Sequence, residues 1–515
     1  MYDLPPQVLR AISMLNAAGH RAYVVGGAVR ELLRGKGTVT DFDLTTSARP
    51  EETEGVFAGF RLIETGLKHG TVTVLLDGLP LEITTFRVDG TYSDGRHPDG
   101  VSFTPSLERD LERRDFTINA MAYHPQEGLI DLHGGREDLK AGLIRCVGDP
   151  DRRFREDGLR MLRCMRFAAV LGFRIEERTG AALVRCRALL DDIAHERVRE
   201  ELTKLLCGQN AGRVLEDYAP VAAQVLPEIA PTFGFDQRNP WHDKDVWRHT
   251  LAAVDAAPAD PVLRWAALLH DLGKPPCFTL DEKGVGHFYD HGEESARLAG
   301  NILSRLRFDT DTRRRIVALV ALHDRPIIPE RRPVRRLLAR LGPEGTADLI
   351  ALHRADNAAQ SSLAAGRQSE LDRAQAVLDR LLAERGSAPV TDGARLIDLL
   401  RRPQMTYREL MTFDPGAPEL PEDVAEQVEI SVKYEGYIRR QEKQVEELRQ
   451  LEKHRLPPDM EYSHIQGLRL EAREKLAAVR PLDLGQASRI SGVSPADIAA
   501  LMIWLHTRTE RGDAT

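Results

Sequence analysis

The sequence predicts an α+β fold in which a small sheet with flanking helices precedes a long helical body. Three observations support this prediction. Residues 20–104 alternate short β-type runs with turns, and their apolar residues recur with a period of two. After about residue 150 the strand pattern ends, and helical segments rich in Leu, Ala, Arg and Glu follow one another. At 515 residues the chain also exceeds what one hydrophobic core supports, so we expect roughly three to four domains.

Composition limits the classes of function. Hydrophobic residues make up 42% of the chain and charged residues 29%, as in an ordinary globular protein. The net charge of −8 argues against a protein that coats nucleic acid, so RNA contacts would come from local basic patches. The start is not signal-like and no apolar run reaches membrane length, so we expect a cytoplasmic protein without a membrane partner. The cysteines lack metal-like spacing and are expected to be reduced: Cys146, Cys164, Cys186, Cys207 and Cys277.

The first chemical element is the glycine turn in "VVGGAVRELLRG" at 24–35. The pattern predicts a strand, a turn at Gly26 and Gly27, and the start of a helix. Backbone N–H groups in such a turn can approach a phosphate, helped by the positive end of the helix, and Arg30 adds charge. Alone the motif is weak, because most Gly-Gly turns only end a strand.

Two acidic residues follow in "TDFDL" at 40–44. On a strand, Asp41 and Asp43 project to the same face. Carboxylates held side by side repel each other unless a cation lies between them, and hard oxygen ligands suit Mg²⁺. Glu82, in the predicted strand "LEITTFR", would complete a two-metal clamp for phosphoryl transfer. The plain alternative is an Asp-rich strand end.

This constellation of glycine turn, paired aspartates and a third acid resembles the polymerase-β nucleotidyltransferase superfamily. More narrowly, "VVGGAVRELLRG", "TDFDLTT", "TGLKHGTVTV", "LEITTFR", "YSDGRHPD" and "LERRDFTINAMAY" are similar to the head of bacterial tRNA nucleotidyltransferases, the CCA-adding enzymes and their poly(A) polymerase relatives. The resemblance runs from residue 20 to about 207. It implies a polymerase-β-type head with a small mixed sheet at 1–145, followed by a helical neck and body at 146–240.

The resemblance also implies roles for individual residues. Catalysis would rest on Asp41, Asp43 and Glu82, with Mg²⁺ on the two aspartates. Arg114 would meet the triphosphate and Asp115 the ribose. Together with these two residues, Gly26, Gly27 and Arg30 would bind the nucleotide. The expected reaction is template-independent addition of nucleotides from CTP and ATP to the 3′ end of tRNA.

Side chains must select the base in such a reaction, and "FREDGLRMLRCMRF" at 154–167 offers suitable chemistry. We expect Asp157 and Arg160 on neighbouring faces of one helix. Aspartate only accepts and arginine only donates, which matches the amino group and ring nitrogen of cytosine and adenine but not guanine or uracil. Arg163 and Arg166 continue the spacing, and the resemblance implies triphosphate or base-orienting roles for them. The alternative is an Arg-rich solvated helix.

The segments at 65–74 and 92–100 bear on which bases are added. "YSDGRHPDG" matches a family loop that helps the switch from C to A, and "TGLKHGTVTV" lacks the extended run of the poly(A) branch. These features favour full CCA addition, while A-only or poly(A)-type addition remains the alternative.

A second chemistry is indicated by "RHTLAAVDAAP" and "RWAALLHDLGKP", with His291, His323 and "ALHRADNAAQ" downstream. The adjacent His-Asp resembles the HD phosphohydrolase superfamily, which implies a helical domain at 241–385 that binds one or two divalent metals. Imidazole and carboxylate ligands suit a transition metal better than Mg²⁺. The resemblance implies hydrolysis of phosphates at RNA ends, and the alternatives are a vestigial metal site or a hydrolase with a non-catalytic head. The metal ligands we expect are His249, His270, Asp271 and Asp356.

The C-terminal segment at 394–515 reads as short helices, with an apolar helical period and a basic stretch, "KYEGYIRRQ", at 433–441. From the residues alone this is a small helical module with a basic patch, which is more often a protein-docking or capping element than an RNA reader. The segment resembles the C-terminal domain of the flavoprotein glucose-inhibited division protein A, which modifies the tRNA wobble uridine. Since no flavin-binding fingerprint is present, the resemblance implies only a grip on tRNA. The sequence leaves the oligomeric state open, with a homodimer as one alternative.

Overall fold

The chain folds into two compact units, Met1–Leu382 and Ala383–Thr515. A computed structural model describes the following residues: 2, 4–35, 39, 41–63, 70–89, 101–239, 241, 243–361, 366–386, 400, 407–410, 420–433, 455–457, 460–462, 465, 467–488, 490, 493–494, 497–502 and 504–505. The segments 65–69 and 92–100, and all of "KYEGYIRRQ" except its first residue, lie outside the described residues.

The N-terminal unit begins with a seven-stranded mixed sheet in the order β3-β4-β5-β2-β1-β8-β9. β2 lies at its centre, antiparallel to β1 and parallel to β5, and β6 and β7 form a separate antiparallel pair. The α+β prediction is therefore confirmed. The strands are β1 (Ala22–Val25), β2 (Asp43–Thr46), β3 (Arg61–Ile63), β4 (Thr71–Leu76), β5 (Leu79–Thr85), β6 (Arg87–Asp89), β7 (Val101–Phe103), β8 (Met121–His124) and β9 (Gly128–Asp131).

The sheet packs against three helices: α1 (Pro6–Ala17), α2 (Gly27–Arg34) and α3 (Pro50–Val56). Val24, Leu44 and Ile83, from three neighbouring strands, are buried in the core that these elements share. The helices predicted near Pro6 and Val29 are confirmed. Because this core fixes β1, β2 and β5 side by side, the ends of these strands are held rigidly where the acidic residues stand.

A helical body follows, as predicted, with two short strand pairs in it. β10 (Leu143–Ile144) pairs with β11 (Arg174–Ile175), and β12 (Phe278–Leu280) forms a hairpin with β13 (Gly286–Phe288). The helices are α4 (Leu107–Glu112), α5 (Gly135–Ala141), α6 (Pro150–Glu156), α7 (Leu159–Leu171), α8 (Glu177–Cys186), α9 (His195–Leu206), α10 (Ala211–Asp217), α11 (Ala219–Val225), α12 (Val246–Ala256), α13 (Pro261–Leu269), α14 (His291–Arg305), α15 (Thr310–Val320), α16 (Arg331–Ala359) and α17 (Arg367–Gly386).

One hydrophobic core runs through this body. A single cluster of buried apolar residues extends from Phe116 to Leu381. Trp265 of α13 lies fully inside it and donates an indole hydrogen bond to Thr203 Oγ1 of α9 at 2.9 Å. The neck and the helices that follow it therefore pack as one body.

The C-terminal unit has its own core, in which Leu456, Leu476 and Leu501 are buried. Arg469 contacts the buried carboxylate of Asp497, with Nη2 at 2.7 Å from Oδ2. The described helices are α18 (Tyr407–Leu410), α19 (Glu422–Lys433), α20 (Leu470–Val479) and α21 (Leu484–Ser488). The buried face expected for the tail helix is correct at Val428 and Val432, which pack against Leu400, whereas Val424 is exposed.

Two expectations concern the whole chain. All five cysteines are free thiols, and three of them are buried. Among the described residues, no helix is both long enough and apolar enough to cross a membrane.

Two candidate active sites

Three carboxylates meet at the end of the central strands. Asp43, the first residue of β2, stands opposite Glu82 of β5 in the parallel register, so the predicted acidic cluster forms. Burial, followed by the neighbouring charges of Asp41 and Glu82, raises the pKa of Asp43 to about 6. Asp41 differs from the prediction, because it precedes β2 in irregular backbone and is exposed. A divalent cation bound by oxygen ligands would relieve this repulsion, so the residues present fit Mg²⁺.

The glycine turn lies directly beside these carboxylates. Gly26 has a φ of 68° and a ψ of −131°, which side-chain-bearing residues rarely adopt. A Cβ added there would lie 3.4 Å from Nη1 of Arg114 and 3.7 Å from Oδ2 of Asp43. Gly27 begins α2, so its helix N-terminus faces the same place. The turn thus gathers backbone amides, a guanidinium and a carboxylate in one small volume, as phosphate binding requires.

A chain of polar contacts connects the turn to the neck. Arg30 donates to the side-chain oxygen of Asn119, and Asn119 Nδ2 donates to Oδ1 of Asp115 at 3.1 Å. Asp115 Oδ2 accepts two hydrogen bonds from Arg163, at 2.9 and 2.6 Å. Although burial alone would raise the pKa of Asp115, Arg163 holds it well below its usual range. Three residues predicted to bind nucleotide are therefore brought together, with Asn119 as the bracing residue.

The ring of Phe167 is the hub of three arginines from the predicted set. The guanidinium carbons of Arg30, Arg163 and Arg166 lie 5.1, 5.5 and 4.1 Å from its centroid. Phe167 itself is buried and packs edge-on against Phe116. Each contact lies within the range of a cation–π interaction. The ring thus fixes arginines that come from two different helices.

The prediction that Asp157 and Arg160 share one helix is wrong. α6 ends at Glu156, Asp157 is extended (φ −147°, ψ 109°), and α7 begins at Leu159. At this break Gly158 passes so close to Leu189 that an added Cβ would lie 2.8 Å from the backbone oxygen of Leu189, so the position requires glycine. The two residues still lie three positions apart at the junction of α6 and α7, where the Arg160 N–H donates to the backbone oxygen of Asp157 at 3.0 Å.

Each of these predicted base-reading residues has a partner in this structure. Asp157 accepts from the backbone of Leu159 at 3.0 Å and from Arg197 Nη2 at 3.1 Å. Arg160 Nη1 donates to Glu156 Oε2 at 2.6 Å. Arg197 was not predicted, because it lies 40 residues downstream and only the fold brings it to Asp157.

Arg166 faces a different partner from its neighbours. Its Nε lies 3.1 Å from Oε2 of the buried Glu201 on α9. No sequence signal identified Glu201, which reads as one more acid in a polar helix.

The histidine–aspartate cluster lies between helices of the body, and all four predicted metal ligands meet there. His249 Nε2 is 2.9 Å from Oδ1 of Asp356 and 3.4 Å from Oδ2 of Asp271. His270 Nε2 is 3.2 Å from Oδ2 of Asp271 and 3.4 Å from Nε2 of His249. His249, His270 and Asp271 are almost fully buried.

A second group shares Asp271. His291 Nε2 and His323 Nε2 lie 3.6 and 3.4 Å from its other oxygen, Oδ1, and 3.2 Å from each other. Asp271 therefore bridges two groups of possible metal ligands. His291 and His323 lie outside the predicted ligand set, although the second His-Asp pair at 323–324 could have indicated a metal ligand there.

The orientation of the imidazoles fits metal ions. In His270, His291 and His323 the Nδ1 atom lies 2.7 Å from a backbone carbonyl oxygen, so Nδ1 carries the proton and Nε2 presents a lone pair. Two lone pairs facing each other repel unless a cation lies between them. Without a metal the cation is a proton: although burial opposes charge, Asp271 and Asp356 raise the pKa of His270 to about 10.

The cluster opens into a cavity of about 480 Å³. Lys274 lies in its wall, with Nζ 2.7 Å from Asp271 Oδ2 and 2.8 Å from Gln237 Oε1. Asn239, His287 and Arg367 also line the cavity. The site thus joins candidate metal ligands to a space large enough for a small organic substrate.

Five family models match successive parts of the chain. The matches are the "Poly A polymerase head domain" at residues 22–145, the "Probable RNA and SrmB-binding site of polymerase A" at 172–232, and the "HD domain" at 246–384. Residues 357–442 match the "tRNA modifying enzyme MnmG/GidA C-terminal helical domain", and residues 444–515 match the helical bundle of the same enzyme.

Curated relatives and a solved structure match as well. The CCA-adding enzyme of Leuconostoc mesenteroides is 50% identical over 217 residues, 42% of this chain and 53% of the relative. That of Geobacillus thermodenitrificans is 44% identical over 299 residues, 55% of this chain and 70% of the relative. The chain therefore spans from about half to somewhat over two thirds of the length of these relatives. A crystal structure of the Bacillus stearothermophilus CCA-adding enzyme in complex with CTP is 29% identical, with a TM-score of 0.56, and the match covers 84% of this chain and 94% of that one.

Proposed function

The chain belongs to the family of CCA-adding enzymes, and we propose that it adds C, C and A to the 3′ end of tRNA, using CTP and ATP without a nucleic-acid template. The observation that carries this proposal is the meeting of Asp43, Glu82 and Arg114 at the glycine turn of Gly26. An acidic cluster beside a phosphate cradle is what phosphoryl transfer needs.

In this proposal the residues of the head hold and orient the nucleotide. The amides at Gly26 and Gly27 and the guanidinium of Arg114 bind the triphosphate, while Asp41, Asp43 and Glu82 hold Mg²⁺. When bound, Mg²⁺ would neutralise phosphate charge and acidify the attacking hydroxyl. The 3′ oxygen of tRNA forms a bond to the α-phosphate, the bond to the β-phosphate breaks, and pyrophosphate leaves.

Base selection would fall to Asp157 and Arg160, as the sequence suggested. Their present partners, Arg197 and Glu156, hold both side chains in place through ion pairs. Reading cytosine or adenine would require them to share or exchange these partners. Arg163 and Arg166 would then act on the nucleotide from the Phe167 hub rather than from the same face as Asp157.

One experiment separates this function from its alternatives. The purified protein is incubated with a tRNA that ends before CCA, with CTP, ATP or both. Stepwise growth by C, C and A is expected. Growth only on a tRNA that already ends in CC would show an A-adding enzyme, and long A tails would show a poly(A)-type enzyme. No incorporation at all would leave the hydrolase with a non-catalytic head.

We propose a second activity for the histidine–aspartate cluster, namely hydrolysis of phosphate esters at RNA ends. The two ligand groups that share Asp271 favour it. They suit Mn²⁺, Fe²⁺, Ni²⁺ or Zn²⁺ by their mixed imidazole and carboxylate donors. A metal bound there would polarise the phosphate and activate a water. An RNA with a terminal 2′,3′-cyclic phosphate should be opened by the wild-type protein, and His270→Ala should abolish opening without affecting CTP incorporation.

The parts of the chain would divide the work. We propose residues 1–145 as the catalytic head, 146–240 as the base-selecting neck, 241–385 as the hydrolase, and 394–515 as a grip on tRNA, all acting in the cytoplasm. Deleting 394–515 should weaken tRNA binding and leave CTP binding unchanged, and unaltered tRNA affinity would reject the grip. A homodimer stays a proposal that analytical ultracentrifugation can test.

A further inference from the structure

The cavity beside the histidine–aspartate cluster is larger than its metal-binding role requires. Its volume of about 480 Å³ lies within the range of pockets that hold small organic molecules. Asn239, His287 and Arg367 line it without belonging to either ligand group. Each of these three residues contacts an aromatic residue. Asn239 and Arg367 contact Trp241, and His287 stacks on Tyr289.

Trp241 is the first of these aromatic residues. It is 43% exposed, although tryptophan usually gains by burial. Its backbone is held on both sides, since its N–H donates to Asn239 Oδ1 at 3.1 Å and its carbonyl accepts from the Ser361 N–H at 3.0 Å. The guanidinium carbon of Arg367 lies 5.2 Å from the indole centroid. An exposed indole that cavity residues fix in this way is ready to receive a ligand.

Tyr289 is the second aromatic residue. It is 70% exposed, and its ring stacks on that of His287 with centroids 5.6 Å apart and planes 10° apart. Its neighbours in the chain point inward, because Phe288 lines the cavity and His291, two positions on, is a candidate metal ligand. Tyr289 therefore stands at the rim, with its outer face open.

We propose that Trp241 and Tyr289 are stacking platforms for the last bases of an RNA 3′ end whose terminal phosphate enters the cavity. The inference rests on the proposed hydrolytic function of the same site, and it names the substrate. Exposed aromatic side chains near cationic groups are how proteins bind single-stranded nucleic acid with little sequence preference. Arg367 and Lys274 supply positive charge at the rim and in the wall for phosphates.

Photo-crosslinking tests where the bases lie. The probe is the trinucleotide CCA with a terminal 2′,3′-cyclic phosphate and 5-iodocytidine as its second nucleotide, irradiated with the full-length protein loaded with Mn²⁺. Mass spectrometry should locate the adduct on Trp241 or Tyr289. Adducts confined to the head, or no adduct, would overturn the proposal.

Equilibrium binding of the same trinucleotide without iodine tests the contribution of each ring. Trp241→Ala and Tyr289→Ala should each weaken binding roughly 5- to 100-fold, as the loss of one stacked base does. Trp241→Phe and Tyr289→Phe should bind nearly as the wild type. The matched control is Leu280→Ala, which removes a similarly exposed apolar side chain (47%) from the hairpin that precedes Tyr289.

Two further probes separate the possible failures. Binding of inorganic phosphate should be unchanged in the aromatic variants, and a loss there would indicate a structural role instead. The trinucleotide should bind more tightly than adenosine 2′,3′-cyclic phosphate, since equal affinity would indicate a free nucleotide as ligand. If the wild-type protein binds the trinucleotide through these rings but does not hydrolyse it, the hydrolase function is rejected and the platforms are not.

Discussion

The head and the histidine–aspartate cluster both gather acids for cations, yet they are built in opposite ways. In the head, Asp41 and Glu82 are exposed and Asp43 is half-buried at the end of a sheet. In the cluster, Asp271 is buried and surrounded by imidazoles and a lysine. The head offers only oxygen atoms, whereas the cluster offers nitrogen and oxygen together.

The two sites therefore differ in when their set of metal ligands is complete. Mg²⁺ is usually held by one or two carboxylates and the phosphates of the substrate, so an open set of acids is finished only by the nucleotide. A closed set of imidazoles around a bridging carboxylate holds its ions before any substrate arrives. We therefore expect the head to exchange its ion in every cycle and the cluster to retain its ions.

The largest expected effect comes from removing one acid at each site. Asp43→Ala should lower CTP incorporation by roughly 10³-fold or more, because several kcal/mol of charge stabilisation are lost. Hydrolysis of the cyclic phosphate should not change. Asp271→Ala should lower hydrolysis of the cyclic phosphate by a similar factor and leave CTP incorporation unchanged. Asp77→Ala is a matched control, since it removes an exposed carboxylate of the same sheet, and a comparable loss in this control would mean that the assay reports folding.

Retention of metal ions after dialysis tests the difference between the open head and the closed cluster. After dialysis against a mild chelator, metal analysis should find about two transition-metal ions per wild-type chain, since the cluster offers two ligand groups. His249→Ala and His291→Ala should each reduce the number to about one. Asp43→Ala should not alter it. An equal loss of metal from the wild type would show that the cluster is as open as the head.

The pH dependence of the free energy of unfolding tests how much the charge of Asp43 destabilises the metal-free protein. The pKa of Asp43 is about 6 in the folded chain, against 3.8 for an unperturbed aspartate, so its charge destabilises the metal-free protein above pH 6. Asp43→Asn should therefore stabilise the metal-free protein by about 2 kcal/mol at pH 7.5, and this gain should fade between pH 6 and pH 4. Differential scanning calorimetry measures it. Saturating Mg²⁺ should reverse the order of the two proteins, and equal melting temperatures at pH 7.5 would contradict the prediction.

The smallest expected effect concerns the Phe167 hub. Phe167→Leu removes three cation–π contacts while keeping the volume apolar, so KM for CTP and ATP should rise about three- to tenfold with kcat nearly unchanged. Phe167→Tyr should behave as the wild type. Stepwise fluorination of the ring should raise KM in proportion to the weakened quadrupole. If the Phe167→Leu and Phe167→Tyr variants have the same KM, the Phe167 ring serves only to fill space.

The sequence was most informative where local pattern decides geometry. Period-two runs identified the strands, and their order along the chain was enough to expect Glu82 near Asp43. The ligand set of His249, His270, Asp271 and Asp356 followed from the resemblance of the His-Asp motif to the HD superfamily. These residues are predictable because each one lies in or next to a regular element with a strong local signal.

The sequence did not predict the local geometry where it depends on one close contact or on a partner that is distant in the chain. Asp157 lies in an extended break between two helices, next to a Gly158 that passes close to the backbone of Leu189, and no local pattern shows this contact. The pairs Asp115–Arg163 and Asp157–Arg197 join residues 48 and 40 positions apart. Opposite charges are common enough along the chain that only the packed helices select the true partner.

The continuous core from Phe116 to Leu381 has a consequence for how this chain can change over generations. The neck and the part that matches the HD domain share buried side chains, so neither can be exchanged for a homologous piece without disturbing the other. The C-terminal unit closes its own core around Leu456 and Leu501 and can be gained or replaced as a whole. Recombination should therefore be tolerated after α17 ends at Gly386 and should damage the protein between residues 116 and 381.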